Sequence, residues 1–112
     1  MARVVRIRNT GGPEVLQVEE LTLGEPKPGD VRIKVAAIGL NRVEAMFRQG
    51  EMGIPSLPSK IGYEAAGIVD AVGKDVTTAR IGDRVATLPG LSMEEYGTYG
   101  HTRLGVCPSN AI

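Results

Sequence analysis

The stretch that decides the fold comprises residues 58–73 and reads PSKIGYEAAGIVDAVG. Its second half, Ala65 to Val72, is apolar apart from Asp70, and glycines flank it on both sides. A continuous apolar run of this length predicts a strand that is buried on both faces. A second short piece, Gly82-Asp83-Arg84-Val85, predicts a turn that leads into another strand over residues 84–88.

Working outward, alternation of apolar and polar residues predicts half-buried strands in other parts of the chain. The clearest segments are residues 5–8 and 31–35, and weaker patterns predict strands over 14–21 and within 96–106. Near the end, Cys107-Pro108-Ser109 predicts the start of a helix, because proline suits a first turn. The 15 glycines and 7 prolines fall at short intervals, which favours short strands and tight turns over a helical bundle.

One helix is predicted over residues 41–49. Asn41 suits the N-cap, and Glu44 follows three residues later, as in a capping box. Glu44 and Arg48 are spaced to pair across one turn, and Gly50 suits a left-handed end. The helical spacing predicts a shared apolar face of Val43, Met46 and Phe47.

The bulk properties indicate one soluble domain of 112 residues with a mainly β fold. Thirteen basic and thirteen acidic residues cancel, which gives no electrostatic reason to expect nucleic acid or an anionic membrane as partner. A single cysteine excludes an internal disulfide, and no apolar run suits a membrane span or signal peptide. We therefore expect a cytoplasmic protein and a partly open β-barrel with one or two short helices.

Several motifs, in family order, resemble the N-terminal GroES-like catalytic domain of the medium-chain dehydrogenase/reductase superfamily. They are Gly11-Gly12-Pro13-Glu14-Val15-Leu16, residues 28–35 (PGDVRIKV), residues 39–44 (GLNRVE), the stretch at 58–73 and Gly82-Asp83-Arg84-Val85. The segment at 39–44 resembles the zinc-free quinone oxidoreductase branch in particular. The resemblance covers nearly the whole chain and implies one GroES-like domain over residues 1–112.

The resemblance also speaks against zinc. In the zinc alcohol dehydrogenases, a ligating cysteine stands at the position of Asn41 and a ligating histidine at that of Tyr63. An amide and a phenol do not replace a thiolate and an imidazole as a zinc pair. The structural zinc site of that branch needs four cysteines, whereas this chain has only Cys107. His101 and Cys107 fit no recognised metal spacing, so we expect no metal site.

The candidate catalytic and cofactor-binding residues are Asn41 and Tyr63, each with two interpretations. Asn41 is either an amide that binds the nicotinamide ribose or the substrate, or a helix cap. Tyr63 is either a hydroxyl that faces the nicotinamide pocket or an aromatic filler. Met46 and Met52 either line an apolar substrate pocket or pack in the core. Glu64, just behind the ligand position, is expected to make a salt bridge or a backbone hydrogen bond.

The implied activity is NADPH-dependent transfer of hydride to a quinone or an α,β-unsaturated carbonyl. No Gly-x-Gly-x-x-Gly fingerprint follows a strand, so the Rossmann domain is absent from this chain and the chain alone is expected to be inactive. Residues that select NADPH over NADH would lie in that domain, as would the interface of a possible homodimer. The alternatives are a zinc-type alcohol dehydrogenase-like domain and a stand-alone co-chaperonin-like binding module.

Overall fold

The computed structural model describes residues 2–22, 24–88, 92–100, 105–108 and 112. Seven strands, two short helices and one 3-10 turn (Pro13–Val15) follow one another along these segments. The strands are β1 (Ala2–Ile7), β2 (Leu16–Leu21), β3 (Asp30–Ile38), β4 (Ser59–Lys60), β5 (Ala65–Val72), β6 (Arg84–Ala86) and β7 (Gly105–Pro108). The helices are α1 (Arg42–Gln49) and α2 (Met93–Tyr96). In this part of the chain, neither helix is long and apolar enough to cross a membrane.

The strands form two antiparallel sheets. One has the order β2-β1-β4 and the other the order β6-β5-β3-β7. Within the described residues the two sheets do not close on each other, so the barrel is partly open. The expected mainly β fold with one or two short helices is therefore confirmed.

Strand β5 spans the predicted range, but its burial differs from the prediction. Ala65, Val69 and Ala71 are buried, whereas Ile68 on the other face is 44% exposed. Antiparallel pairing with β3 and β6 places one face of β5 against the core and leaves the other open. The expectation of burial on both faces is therefore wrong, because it treated an antiparallel strand as one covered on both sides.

Two apolar clusters hold the domain together. The first, which we call the sheet core, comprises Val31, Ile33, Val69 and Ala79. The second, which we call the helix core, comprises Ile7, Phe47, Ile61 and Met93 and packs α1 against the three-stranded sheet. The helix core is the one that positions the candidate site, since it contacts both Tyr63 and Tyr99.

The end of the chain departs from the sequence prediction. The strand predicted within residues 96–106 is found only at the end of that range, since Tyr96 closes helix α2 and β7 begins at Gly105. Cys107 and Pro108 lie in β7, where they oppose Val31 and Asp30 of β3, so the predicted helix start is wrong. Pairing with a strand far away in sequence outweighed the local proline signal, and Pro108 is tolerated because β7 lies at the edge of its sheet. Ser109 lies outside the described residues.

Candidate functional site

The site is built around the first turn of α1. Asn41 is the N-cap, and its backbone N–H donates to Oε1 of Glu44 at 2.7 Å. Gly50 ends the helix in a left-handed conformation (φ 83°), and its N–H donates to the carbonyl of Phe47 at 3.1 Å. The predicted cap and the predicted stop are both confirmed. Together they fix the orientation of Glu44 relative to the rest of the domain.

Glu44 is a buried carboxylate, with only 3% of the residue exposed. Besides the Asn41 N–H, it accepts a hydrogen bond from the Tyr63 N–H at 2.9 Å and one from the Tyr99 hydroxyl at 2.6 Å. Among the described residues it forms no ion pair with Arg48, whose Nε donates to the Gly11 carbonyl at 3.1 Å. The predicted helix-surface pair is wrong, because Glu44 faces inward and joins three separate segments of the chain.

Tyr99 supplies the third of these segments. Its carbonyl accepts from the Val5 N–H at 3.1 Å, and its N–H donates to the Ile61 carbonyl at 3.0 Å. Burial first, and then the hydrogen bond to Glu44 and that residue's negative charge, raise the pKa of Tyr99 above its ordinary value of 10.0. The phenol therefore stays protonated at neutral pH and acts as a donor. No local signal in the sequence marks Tyr99, so its role is visible only in the fold.

The structure brings the backbones of the two predicted catalytic residues to one carboxylate. The N–H groups of Asn41 and Tyr63 bind opposite oxygens of the one Glu44 carboxylate. The side chain of Tyr63 is half-buried and packs against the helix core, which agrees with the filler interpretation for the ring. The role of its hydroxyl stays a prediction.

Glu64 lies directly beside this pair. Its Oε1 is 3.4 Å from Nδ2 of Asn41, which is longer than a strong hydrogen bond. Its backbone carbonyl accepts from the Thr98 hydroxyl at 3.1 Å and from the Gly39 N–H at 3.2 Å. Glu64 thus has the backbone hydrogen bonds expected of a structural residue. Its carboxylate also orients the Asn41 amide through a contact that a ligand could displace.

An open cavity of about 390 Å³ lies beside Asn41. Its walls include Leu40, Asn41, Arg48, Ile61 and Tyr99. Its lining is therefore partly polar and partly apolar.

Met46 and Met52 are not among the described residues that line this cavity. They are 38% and 54% exposed, so neither is packed in the core. The core-packing interpretation of both residues is therefore wrong. Their predicted role as substrate-pocket residues stays untested.

The donor set beside α1 does not suit zinc. Asn41 and Tyr63 offer an amide and a phenol, and within the described segments no three or more His, Cys, Asp or Glu side chains cluster as metal ligands. His101 lies outside those segments, and the side chain of Cys107 is not described. That the protein works without zinc stays a prediction.

Comparison with known proteins places this geometry in a family. Residues 27–109 match the alcohol dehydrogenase GroES-like domain. A quinone oxidoreductase of Pseudomonas aeruginosa is 44% identical over 90 residues, which are 80% of this chain and 28% of that protein. A 2-haloacrylate reductase of a Burkholderia species is 37% identical over 108 residues, or 93% of this chain and 31% of that protein.

A solved structure gives the same result. The Escherichia coli quinone oxidoreductase complexed with NADPH superposes with a TM-score of 0.78 at 34% identity. The match covers 96% of this chain and 33% of that one. The chain thus spans about a third of the length of the proteins it matches. It belongs to the alcohol dehydrogenase GroES-like domain family of the medium-chain dehydrogenase/reductase superfamily, and the predicted resemblance to quinone oxidoreductases is confirmed.

Proposed function

We propose that this chain supplies the substrate side of a reductase that passes hydride from NADPH to a quinone or another conjugated carbonyl compound. The observation that carries the proposal is the junction of Asn41 and Tyr63 on the Glu44 carboxylate, of which Asn41 and Glu44 also line an open cavity of about 390 Å³. These are the two positions at which zinc-dependent relatives carry their ligands. The names of two relatives, a quinone oxidoreductase and a 2-haloacrylate reductase, support a conjugated acceptor.

The nucleotide-binding part is proposed to lie elsewhere in a longer protein. Residues 1–112 contain no Gly-x-Gly-x-x-Gly fingerprint and act as one GroES-like domain in this proposal. On the same reasoning, the 112 residues by themselves do not sustain turnover. The proposed location is the cytoplasm. The longer protein is proposed to form a homodimer.

The side chains at the junction suit a nicotinamide cofactor and a conjugated acceptor. NADPH, when bound, supplies the hydride, and the protein orients the reacting groups. The Asn41 amide offers two donors and an acceptor, and its long 3.4 Å contact with Glu64 is easily exchanged for the ribose or the acceptor. The Tyr63 hydroxyl can donate a hydrogen bond to the oxygen on which negative charge develops, without ionising itself.

A conjugated acceptor also explains why zinc is dispensable in this proposal. A simple ketone needs strong polarisation of its carbonyl, which zinc provides as a Lewis acid. A quinone or enone spreads the added charge over a conjugated system. Hydrogen-bond donors then stabilise the resulting oxygen, and a proton from water completes the reduction.

The test uses the native product of the gene that encodes this chain. We expect quinone-dependent oxidation of NADPH, and a loss of roughly 10–100-fold in kcat/KM for Asn41→Ala, because a donor to a reacting or cofactor group is removed. Gln49→Ala, an exposed change at the end of α1, is the matched control and should keep the activity. Met46→Ala and Met52→Ala test the substrate-pocket prediction through KM for the quinone.

Other outcomes would point to the alternatives. No NADPH oxidation with quinones or enones would overturn the proposal. Stoichiometric zinc in the purified protein would favour a zinc-type alcohol dehydrogenase-like domain. A large ring in sedimentation would favour a co-chaperonin-like module. Turnover with NADH but not with NADPH would change the proposed cofactor and leave the proposed reaction as it stands.

A further inference from the structure

We infer that Glu44 is a positioning residue that sets the separation of Asn41 and Tyr63 in the active site. The inference rests on the proposed function, since it assigns Glu44 an effect on the reaction that these two residues serve. From the sequence, Glu44 is expected only to complete a helix cap and to form a surface ion pair. Its burial and its hydrogen bonds indicate a different role, which is to hold two backbone segments at a fixed separation.

The carboxylate is a rigid bridge between two backbone segments. Oε1 accepts from the Asn41 N–H at 2.7 Å, and Oε2 accepts from the Tyr63 N–H at 2.9 Å. Hydrogen bonds to a charged acceptor are short and about twice as strong as neutral ones. Because the two oxygens are fixed on one carbon atom, the position of one backbone segment determines that of the other.

Tyr99 fixes the bridge itself. Its hydroxyl donates to Oε1 at 2.6 Å, so this oxygen is shared with the Asn41 N–H. The Tyr99 backbone is held on both sides, by Val5 and by Ile61. The carboxylate is therefore held at Oε1 by α1 and by the segment at residue 99, and at Oε2 by the Tyr63 N–H, so it has little freedom to turn.

The chemistry of the three partners requires a carboxylate. All three are donors, so a group that only accepts can satisfy all of them. A glutamine has almost the same shape, but its NH₂ would face at least one backbone N–H, and that bond would be lost. An aspartate keeps the charge on a side chain one methylene shorter. These two variants separate the effect of the acceptor charge from the effect of its position.

The first experiment measures amide hydrogen exchange by NMR in the 112-residue chain. For Glu44→Gln we expect exchange at Asn41, Tyr63 or both to rise roughly 10–100-fold, as for loss of a hydrogen bond to a charged group. The amides of Val31 and Val69 in the sheet core should keep their protection. Glu51→Gln, which removes an exposed charge next to the end of α1, is the matched control and should change neither set.

Two results of the exchange experiment would overturn the inference. Exchange that rises by the same factor at Val31 and Val69 would mean that Glu44 serves overall stability only, and no change at Asn41 and Tyr63 would mean that it positions neither. If Glu44→Gln fails to fold, the same exchange measurement on Tyr99→Phe tests the inference. It keeps the carboxylate but removes its anchor, so it should raise exchange at Asn41 and Tyr63 a few-fold and leave the sheet core unchanged.

The second experiment reads the effect on the reaction in the native gene product. Glu44→Gln should lower kcat per folded molecule, and Glu44→Asp should recover part of the loss because it keeps the charged acceptor. An unchanged kcat per folded molecule would overturn the inference. Absence of reductase activity in the unaltered protein would instead overturn the proposed function, and the exchange data would still decide whether Glu44 holds the two segments together.

Discussion

The four-stranded sheet and the junction around Glu44 hold charge in different ways. In the four-stranded sheet, buried Arg32 donates from Nε to Oδ1 of Asp70 at 2.8 Å, so a cation and an anion on neighbouring strands neutralise each other. At the junction, the Glu44 carboxylate is held by one hydroxyl and two backbone N–H groups. A buried anion without a cation partner is costly unless hydrogen bonds satisfy it.

The difference teaches which region is built for stability and which for placement. The sheet core draws its strength from apolar side chains such as Val31 and Val69, both fully buried. The junction gives up apolar packing to gain a set of directional bonds. Such bonds fix the relative positions of the groups they join, whereas hydrophobic contacts are non-directional. We therefore expect damage to the sheet core to act globally and damage to the junction to act locally.

The largest effect is expected in the sheet core, from Ile33→Ala. Ile33 is 1% exposed, so its truncation leaves a cavity and should lower the free energy of unfolding by about 2–5 kcal/mol. Chemical denaturation measures it as a shift in the midpoint. Ile68→Ala is the matched control: Ile68 is 44% exposed on the open face of β5, and the expected loss is about 1 kcal/mol or less.

Equal losses from the two isoleucine variants would contradict this account of the sheet. The junction offers a second readout of the same change. In folded Ile33→Ala, the exchange rates at Asn41 and Tyr63 should rise only through global unfolding. A selective rise at these two amides would show that the two regions are coupled more closely than their separate contacts indicate.

A smaller, more local effect is expected at Gly62, next to Tyr63. Its φ of +112° is one that other residues rarely adopt, and an added Cβ would lie 2.7 Å from the backbone nitrogen of Tyr99. Gly62→Ala should therefore cost about 2–4 kcal/mol through strain and overpacking. Gly53→Ala is the control, since Gly53 has a φ of +94° but no atom within 4 Å of the added Cβ.

Strain alone at Gly53 should cost about 1–2 kcal/mol. The difference between the two glycine variants then measures the close approach of the segments at residues 62 and 99. If both variants lose the same amount, the nearby segment at residues 98 and 99 does not exclude a Cβ at residue 62. Denaturation midpoints at an unchanged denaturant slope decide between the two outcomes.

The parts of the fold that sequence analysis predicted are those with local signals. The range of β5 follows from one apolar run, and the ends of α1 follow from Asn41 and Gly50. The error at Met46 shows the limit of such signals. Met46 has helical spacing with Val43 and Phe47, yet it is 38% exposed, because the inward face of α1 is occupied by Glu44 and Phe47.

The candidate site depended on contacts that no local pattern specifies. Glu44 and Tyr99 lie 55 residues apart in sequence, and their bond forms only once α1 and the segment at residue 99 pack on the helix core. The resemblance to a family gave Asn41 and Tyr63 as a pair, but not the carboxylate that joins them. The helix start predicted at Cys107 was wrong for the same reason, since β7 pairs with β3, which is distant in sequence.

The last prediction concerns the ionisation of Tyr99. It leaves stability at neutral pH unchanged, and it tests the junction most directly. Burial and the bonded Glu44 raise its pKa above 10.0, so its contribution to stability is present below about pH 10 and is lost as the pH rises through the higher folded pKa. Tyrosinate absorbance should therefore show a late step in the folded protein, and Tyr99→Phe should remove that step. In Glu44→Gln the step should move to lower pH, because the charge and the charged acceptor are gone while the burial remains. A late step that persists in Tyr99→Phe, or that stays in place in Glu44→Gln, would mean that the phenol and the carboxylate do not form the bond on which the junction depends.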